Sequence, residues 1–222
     1  MTFEAVLFDC DGVLVDSEPI TNGVLCQMLN EAGWVLSAQD CMRIFVGKTV
    51  RSEAARIQAH TGRALTDEWM ATFYERRNVK LKAQLKPMPG ALEAIKAVHG
   101  LLQGRIACAS GADRLKVEMQ LAQVGMAPYF EDRIFSGHEM PATKPAPDVY
   151  LAAAAALQVP PSRCLVLEDT VTGVTSGVAA GATVIGYSPG GGSGHSSAVA
   201  LRGAGAVEVI TSLGDLVTLL AE

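Results

Sequence analysis

Short runs of Val, Ile, Leu and Ala punctuate the chain at Ala5 to Phe8, Arg105 to Ala109, Arg133 to Phe135, Cys164 to Leu167, Thr183 to Ile185 and Ala206 to Ile210. Apolar and polar positions do not alternate within them, so each is expected to be a strand covered on both faces. Helix-spaced stretches lie between most of these runs, at Leu92 to Val98, Arg114 to Val124, Asp148 to Leu157 and Val174 to Ala180. Strands alternating with helices in this way predict an α/β fold with a doubly wound parallel sheet.

One interval breaks the alternation. From Ser17 to about Lys86 the apolar positions keep helical spacing, as at Leu25, Met28, Leu29 and Ala32, and candidate N-caps stand at Ser17, Ser37 and Thr66. The interval predicts a helical domain of residues 17–86 inserted into a core of residues 1–16 and 87–222. Lys86-Pro87-Met88-Pro89-Gly90 is the expected return hinge. The glycine-rich Ser188 to His195 lacks the G-x-x-x-x-G-K-[ST] pattern of a phosphate loop and reads as a surface loop.

Composition narrows the function classes. The 222 residues allow one large domain or a domain with an insert, and 23 acids against 18 bases disfavour nucleic-acid binding. No apolar stretch reaches the ~18 residues of a membrane span. Five cysteines, none in a C-x-x-C, are expected to be buried free thiols in a reducing cytoplasm. His60, His99, His138 and His195 show no zinc-ligand spacing. Monomer and weak homo-oligomer both remain open.

Open α/β sheets bind ligands beyond the carboxyl ends of their strands. There this sequence delivers Asp9 and Asp11, Ser110 and Gly111, Glu168 and Asp169, and Lys144 in a loop ahead of a helix near Pro147. Several acids in one low-dielectric crevice repel unless a cation joins them, and a hard divalent ion with oxygen ligands, Mg²⁺ above all, meets that need. The lysine, the hydroxyl and backbone N–H groups suit a phosphate dianion beside it. Ser110 also qualifies as N-cap of the Arg114 helix.

These residues carry a resemblance. Asp9-Cys-Asp11-Gly12-Val13, Ser110, Lys144-Pro-Ala-Pro-Asp148-Val-Tyr150 and Glu168-Asp169-Thr170, with Gly173 and Gly181, resemble the haloacid dehalogenase-like superfamily. The branch resembled is that of phosphatases and β-phosphoglucomutases with a helical cap. The resemblance implies Asp9 as nucleophile and metal ligand, and Asp11 as general acid and base with its backbone carbonyl on the metal. It implies that Ser110 and Gly111 hold phosphoryl oxygens and that Lys144 neutralises charge between nucleophile and phosphate. Asp169 would ligate the metal directly, and Glu168 directly or through water. Glu18, Lys48 and Arg51 are candidate substrate contacts from the insert, the last two following a break at Val46-Gly47; a helix start and a solvated helix face are their rivals.

The implied activity is Mg²⁺-dependent hydrolysis of a small phosphorylated metabolite, a sugar phosphate or a phosphorylated organic acid such as phosphoglycolate. The alternatives are a phosphosugar mutase and a binding module on an inactive core. Mutases of the branch carry a histidine near the start of the insert, where this chain has Ile20-Thr21. The four acid/base positions Asp9, Asp11, Lys144 and Asp169 argue against an inactive core.

Overall fold

A computed structural model of the chain describes residues 3–45, 48–190 and 195–221. It divides into two compact units, Met1–Asp16 with Lys86–Glu222, and Ser17–Leu85.

The first unit is a parallel sheet. Its strands are β1 (Ala5–Phe8), β2 (Ile106–Ser110), β3 (Ile134–Ser136), β4 (Cys164–Glu168), β5 (Thr183–Tyr187) and β6 (Glu208–Ile210), in the order β3-β2-β1-β4-β5-β6. The chain builds outward from β1 to β3 and then crosses back to β4 on the other flank of β1, so the strand order reverses beside β1. Every residue of β1, β2 and β4 is buried, as expected of apolar runs without alternation.

The second unit holds α1 (Glu18–Glu31), α2 (Ala38–Phe45), α3 (Ala54–Thr61) and α4 (Asp67–Gln84). Helix α1 packs on α2 and α4 around Leu25, Met28, Leu29, Phe45, Met70 and Phe73. Burying each such side chain stabilises the unit by about 1.5–3 kcal/mol. Thr66 caps α4, its hydroxyl accepting from Trp69 N at 3.1 Å, and Ser37 accepts from Asp40 N at 3.0 Å. Ser17 stands at the N-cap of α1 without a side-chain capping bond, because its backbone is already helical (φ −94°, ψ −23°) and does not aim the hydroxyl at the first turn. The break expected at Val46-Gly47 lies outside the described residues.

Back in the sheet unit, α5 (Ala91–Leu101), α6 (Arg114–Gln123), α7 (Ala127–Phe130), α8 (Asp148–Ala156), α9 (Val171–Ala179), α10 (Ala198–Gly203) and α11 (Leu213–Ala221) complete the element order. Helices α8, α9 and α10 supply Val149, Ala153, Val174 and Leu201 to a core that includes Leu7, Ala107 and Val166 of the sheet. The return segment is more than a loose hinge. Asp16 N donates to Lys86 O at 3.0 Å and Met88 N to Leu14 O at 2.9 Å, so the outgoing and returning chains pair at the sheet unit.

Candidate active site

Asp9 follows the last residue of β1, and its N–H donates to Leu167 O at 3.1 Å, so sheet pairing fixes where this acid stands. Phe8 pairs with Cys108 on one side and Leu167 on the other. That register brings Ser110 at the end of β2, Asp9, and Glu168 with Asp169 at the end of β4 to one edge, all four buried. Gly111 follows Ser110 there.

Lys144 joins the acids from the loop before α8. Its Nζ donates to Asp9 Oδ1 (2.7 Å), Glu168 Oε1 (2.6 Å), Ala109 O (2.9 Å) and the Tyr150 hydroxyl (3.0 Å). An ammonium has three N–H groups, so four acceptors at these distances hold it from every side. Burial works against the charged lysine, yet Asp9 and Glu168 outweigh it and keep the ammonium well above its ordinary pKa. Burial also pushes the Asp9 carboxyl up to about 7, with Lys144 opposing and the negative charges of Glu168 and Asp11 adding to the rise. Tyr150 is raised well above a normal phenol by burial and by Glu168.

Glu168 is bonded through both carboxylate oxygens. Its Oε1 accepts from Lys144 and from the Tyr150 hydroxyl (2.9 Å), and its Oε2 accepts from Asp169 N (3.1 Å), Thr170 N (3.2 Å) and Thr170 Oγ1 (3.0 Å). Gly173 makes room for it, since a Cβ there would fall on the Glu168 carboxylate. Gly12 does the same for Asp169: it adopts φ +83°, and a Cβ would overlap the Asp169 carboxylate.

One oxygen each from Asp9, Glu168 and Asp169 lies within 4.8 Å of the others. Among the described residues these three buried acids outnumber the Lys144 ammonium that bonds Asp9 and Glu168, and an all-oxygen donor set suits a hard divalent cation. The residues therefore fit a divalent metal ion. The Asp11 carboxylate stands outside that group. It accepts from Lys116 Nζ on both oxygens (2.9 and 2.8 Å) and from Gln120 Nε2 (2.9 Å).

Several expectations change. Asp113, not Ser110, caps α6: its backbone is extended and its carboxylate accepts from Lys116 N at 2.9 Å, whereas the Ser110 hydroxyl accepts from Ala112 N at 3.1 Å. His195 is no surface-loop residue. It is mostly buried, its Nε2 lies 2.8 Å from Gly12 O and 4.0 Å from Asp169 Oδ2, and Ser196 N donates to Asp169 O at 2.9 Å. Gly191 to Gly194 of that stretch lie outside the described residues. Lys116, Gln120, Tyr150 and His195 had no assigned role in the sequence, although Lys116 and Gln120 fall in helical phase with the apolar Val117 and Leu121, where a polar pair is out of place.

The insert candidates are engaged within their own unit. Glu18 opens α1 beside Pro19 and accepts from Asn22 Nδ2 at 2.9 Å. Lys48 pairs with Glu53 (3.1 Å) and Arg51 with Asp67 (2.8 Å), all four on the helical unit. Among the described residues no helix is long and apolar enough to cross a membrane.

Residues 3–181 match the family model of haloacid dehalogenase-like hydrolases. The chain is 30% identical to 6-phosphogluconate phosphatase of Escherichia coli K12 over 82% of its own length and 80% of the relative's. It is 26% identical to fructose-1-phosphate phosphatase of the same organism, over 81% and 93%. The crystal structure of a HAD family hydrolase from Deinococcus radiodurans R1 with bound phosphate and sodium superposes with a TM-score of 0.80 at 32% identity, covering 99% of this chain and 95% of that one. The chain belongs to the haloacid dehalogenase-like hydrolase family and is a phosphatase of that family.

Proposed function

We propose that the protein is a Mg²⁺-dependent phosphomonoesterase acting on a small sugar phosphate or phosphorylated organic acid through an aspartyl-phosphate on Asp9. The observation that carries this reading is the buried cluster of Asp9, Lys144, Glu168 and Asp169 at the strand ends. An acid fixed by a lysine and by sheet pairing is oriented for in-line attack on phosphorus. The P–O bond to the alcohol breaks, and Asp11 supplies the proton the leaving alkoxide takes. Asp11 then accepts a proton from water as that water attacks the phosphorus, the bond to Asp9 breaks, and inorganic phosphate leaves. Ser110 and the Gly111 N–H hold phosphoryl oxygens, and the Lys144 ammonium balances the charge gathered between Asp9 and the phosphate.

Asp9, Asp169 and the Asp11 backbone carbonyl would hold Mg²⁺, which supplies charge neutralisation of the phosphoryl group when bound. Glu168, with five hydrogen bonds already on its carboxylate, is better suited to contact through water than to direct ligation. The 6-phosphogluconate and fructose-1-phosphate phosphatases among the relatives support a phosphorylated sugar or sugar acid as substrate. Ile20-Thr21, where mutases of the branch carry histidine, favours water as the acceptor.

The test is a panel of phosphorylated metabolites with Mg²⁺, read as released phosphate. Phosphate from at least one sugar or sugar-acid ester is expected. Accumulation of glucose 6-phosphate from β-glucose 1-phosphate with a trace of glucose 1,6-bisphosphate, and no phosphate released, would replace this reading with the mutase.

A further inference from the structure

Asp11 is gripped by two side chains more than a hundred positions away in sequence. Lys116 and Gln120 sit four residues apart on α6, which places them one turn above the other on the same face of the helix. That face is the buried one. Lys116 is 7% exposed and Gln120 fully buried, in a stripe with Val117 and Leu121. Lys116 Nζ reaches both oxygens of the Asp11 carboxylate, while Gln120 Nε2 donates to Oδ1. The other end of the Gln120 amide, Oε1, lies 3.7 Å from the sulfur of Cys10, the residue between Asp9 and Asp11. One amide thus reads two consecutive residues of the turn after β1.

Stability does not explain this arrangement. A buried ammonium and carboxylate pair costs several kcal/mol of desolvation per ion, and replacing such a pair by apolar groups of similar volume is often neutral or stabilising. Val117 and Leu121 on the same buried face show that apolar residues fit there. We infer that Lys116 and Gln120 are positioning residues for Asp11: by bonding its carboxylate from the buried face of α6 they fix the direction in which it gives and takes the proton. Neither side chain needs to touch the substrate.

The inference rests on the phosphatase reading, and the leaving group separates the two. An alkyl phosphate needs its departing oxygen protonated; p-nitrophenyl phosphate does not, because nitrophenolate leaves as the anion. Lys116→Met keeps the stem and removes the ammonium. Its steady-state turnover of an alkyl phosphate should fall by about 10²-fold, the scale of one general acid, while the pre-steady-state burst of nitrophenolate stays within about threefold of wild type. Gln120→Leu should show the same asymmetry at about tenfold, and it carries the test if Lys116→Met does not fold. On an Asp11→Asn background, Lys116→Met should change residual turnover by less than about twofold, since residues acting as a unit are not additive. Equal losses on both esters, or no loss on the alkyl ester, overturn the positioning role and leave the phosphatase reading intact. A wild-type protein that gives neither a nitrophenolate burst nor phosphate overturns both.

Discussion

The two units differ in the ion pairs they bury. The sheet unit buries Asp9, Lys116, Lys144, Glu168 and Asp169 at or beside its strand ends. The helical unit buries Arg77, but its pairs of Arg43 with Asp40, Lys48 with Glu53, Arg51 with Asp67 and Arg76 with Glu31 each keep a side chain more than 40% exposed. Exposed pairs are worth about 0–1 kcal/mol, whereas each buried ion costs several kcal/mol of desolvation. The sheet unit tolerates that cost where the acids and bases must meet a phosphate. A substitution that strikes the buried set should therefore remove chemistry, and one that strikes the exposed set should remove almost nothing.

The largest effect is expected from Asp9→Asn. The amide keeps the volume but loses the nucleophile, so phosphate release should fall by about 10⁴-fold or more, with the thermal midpoint preserved. Turnover within tenfold of wild type would break the comparison at its root. Chelation comes next. Activity should vanish in excess chelator and return with Mg²⁺, and Mg²⁺ should raise the melting temperature of the wild-type protein by binding the folded state. Asp169→Asn should lose that thermal shift, while Arg76→Ala in the helical unit should retain it. A shift that survives Asp169→Asn would move the metal elsewhere.

A single substitution type sharpens the contrast further. Gly173→Ala forces a Cβ onto the Glu168 carboxylate and should cost about 1–3 kcal/mol together with roughly 10- to 100-fold in turnover, because Lys144 and Tyr150 both bond that acid. Gly23→Ala, in the exposed middle of α1 with nothing within 4 Å of the new methyl, should instead stabilise by about 0.5–1 kcal/mol and leave turnover alone. Opposite signs for the same chemical change, read by thermal melts, are the expected result. A stabilised Gly173→Ala would mean that Glu168 has room to move.

What could be read in advance follows the same division. Strands covered on both faces announce themselves as unbroken apolar runs, so β1, β2 and β4 lie within a residue or two of where the pattern put them. Asp9, Asp11, Glu168 and Asp169 stood out because acids at the ends of such strands conflict with burial, and Lys144 through the Lys144-Pro-Ala-Pro-Asp148 stretch that carries the family resemblance. Lys116 and Gln120 did not. Their phase with Val117 and Leu121 marks a polar pair on an apolar face but names no partner, and the carboxylate they meet lies 105 residues from Lys116. His195 was hidden by its neighbours, since a run of glycine and serine reads as loop whatever its last residue touches. The packing of Gly173 against Glu168 is likewise a contact across a turn that no periodicity encodes.

The smallest effects should come from Lys48→Ala and Arg51→Ala. Lys48 Nζ lies 3.1 Å from Glu53 and Arg51 NH2 2.8 Å from Asp67, and Asp67 is almost fully exposed, so water replaces either cation at little cost. Each variant should alter stability by less than about 0.5 kcal/mol. With the fold undisturbed, the kinetics read substrate contact alone, and kcat/KM within about threefold of wild type is expected for a side chain occupied by its own neighbours. A KM raised tenfold at unchanged kcat and unchanged melting temperature would show uniform binding lost. That outcome would give the helical unit a share in the chemistry and narrow the contrast between the two units to nucleophile and metal alone.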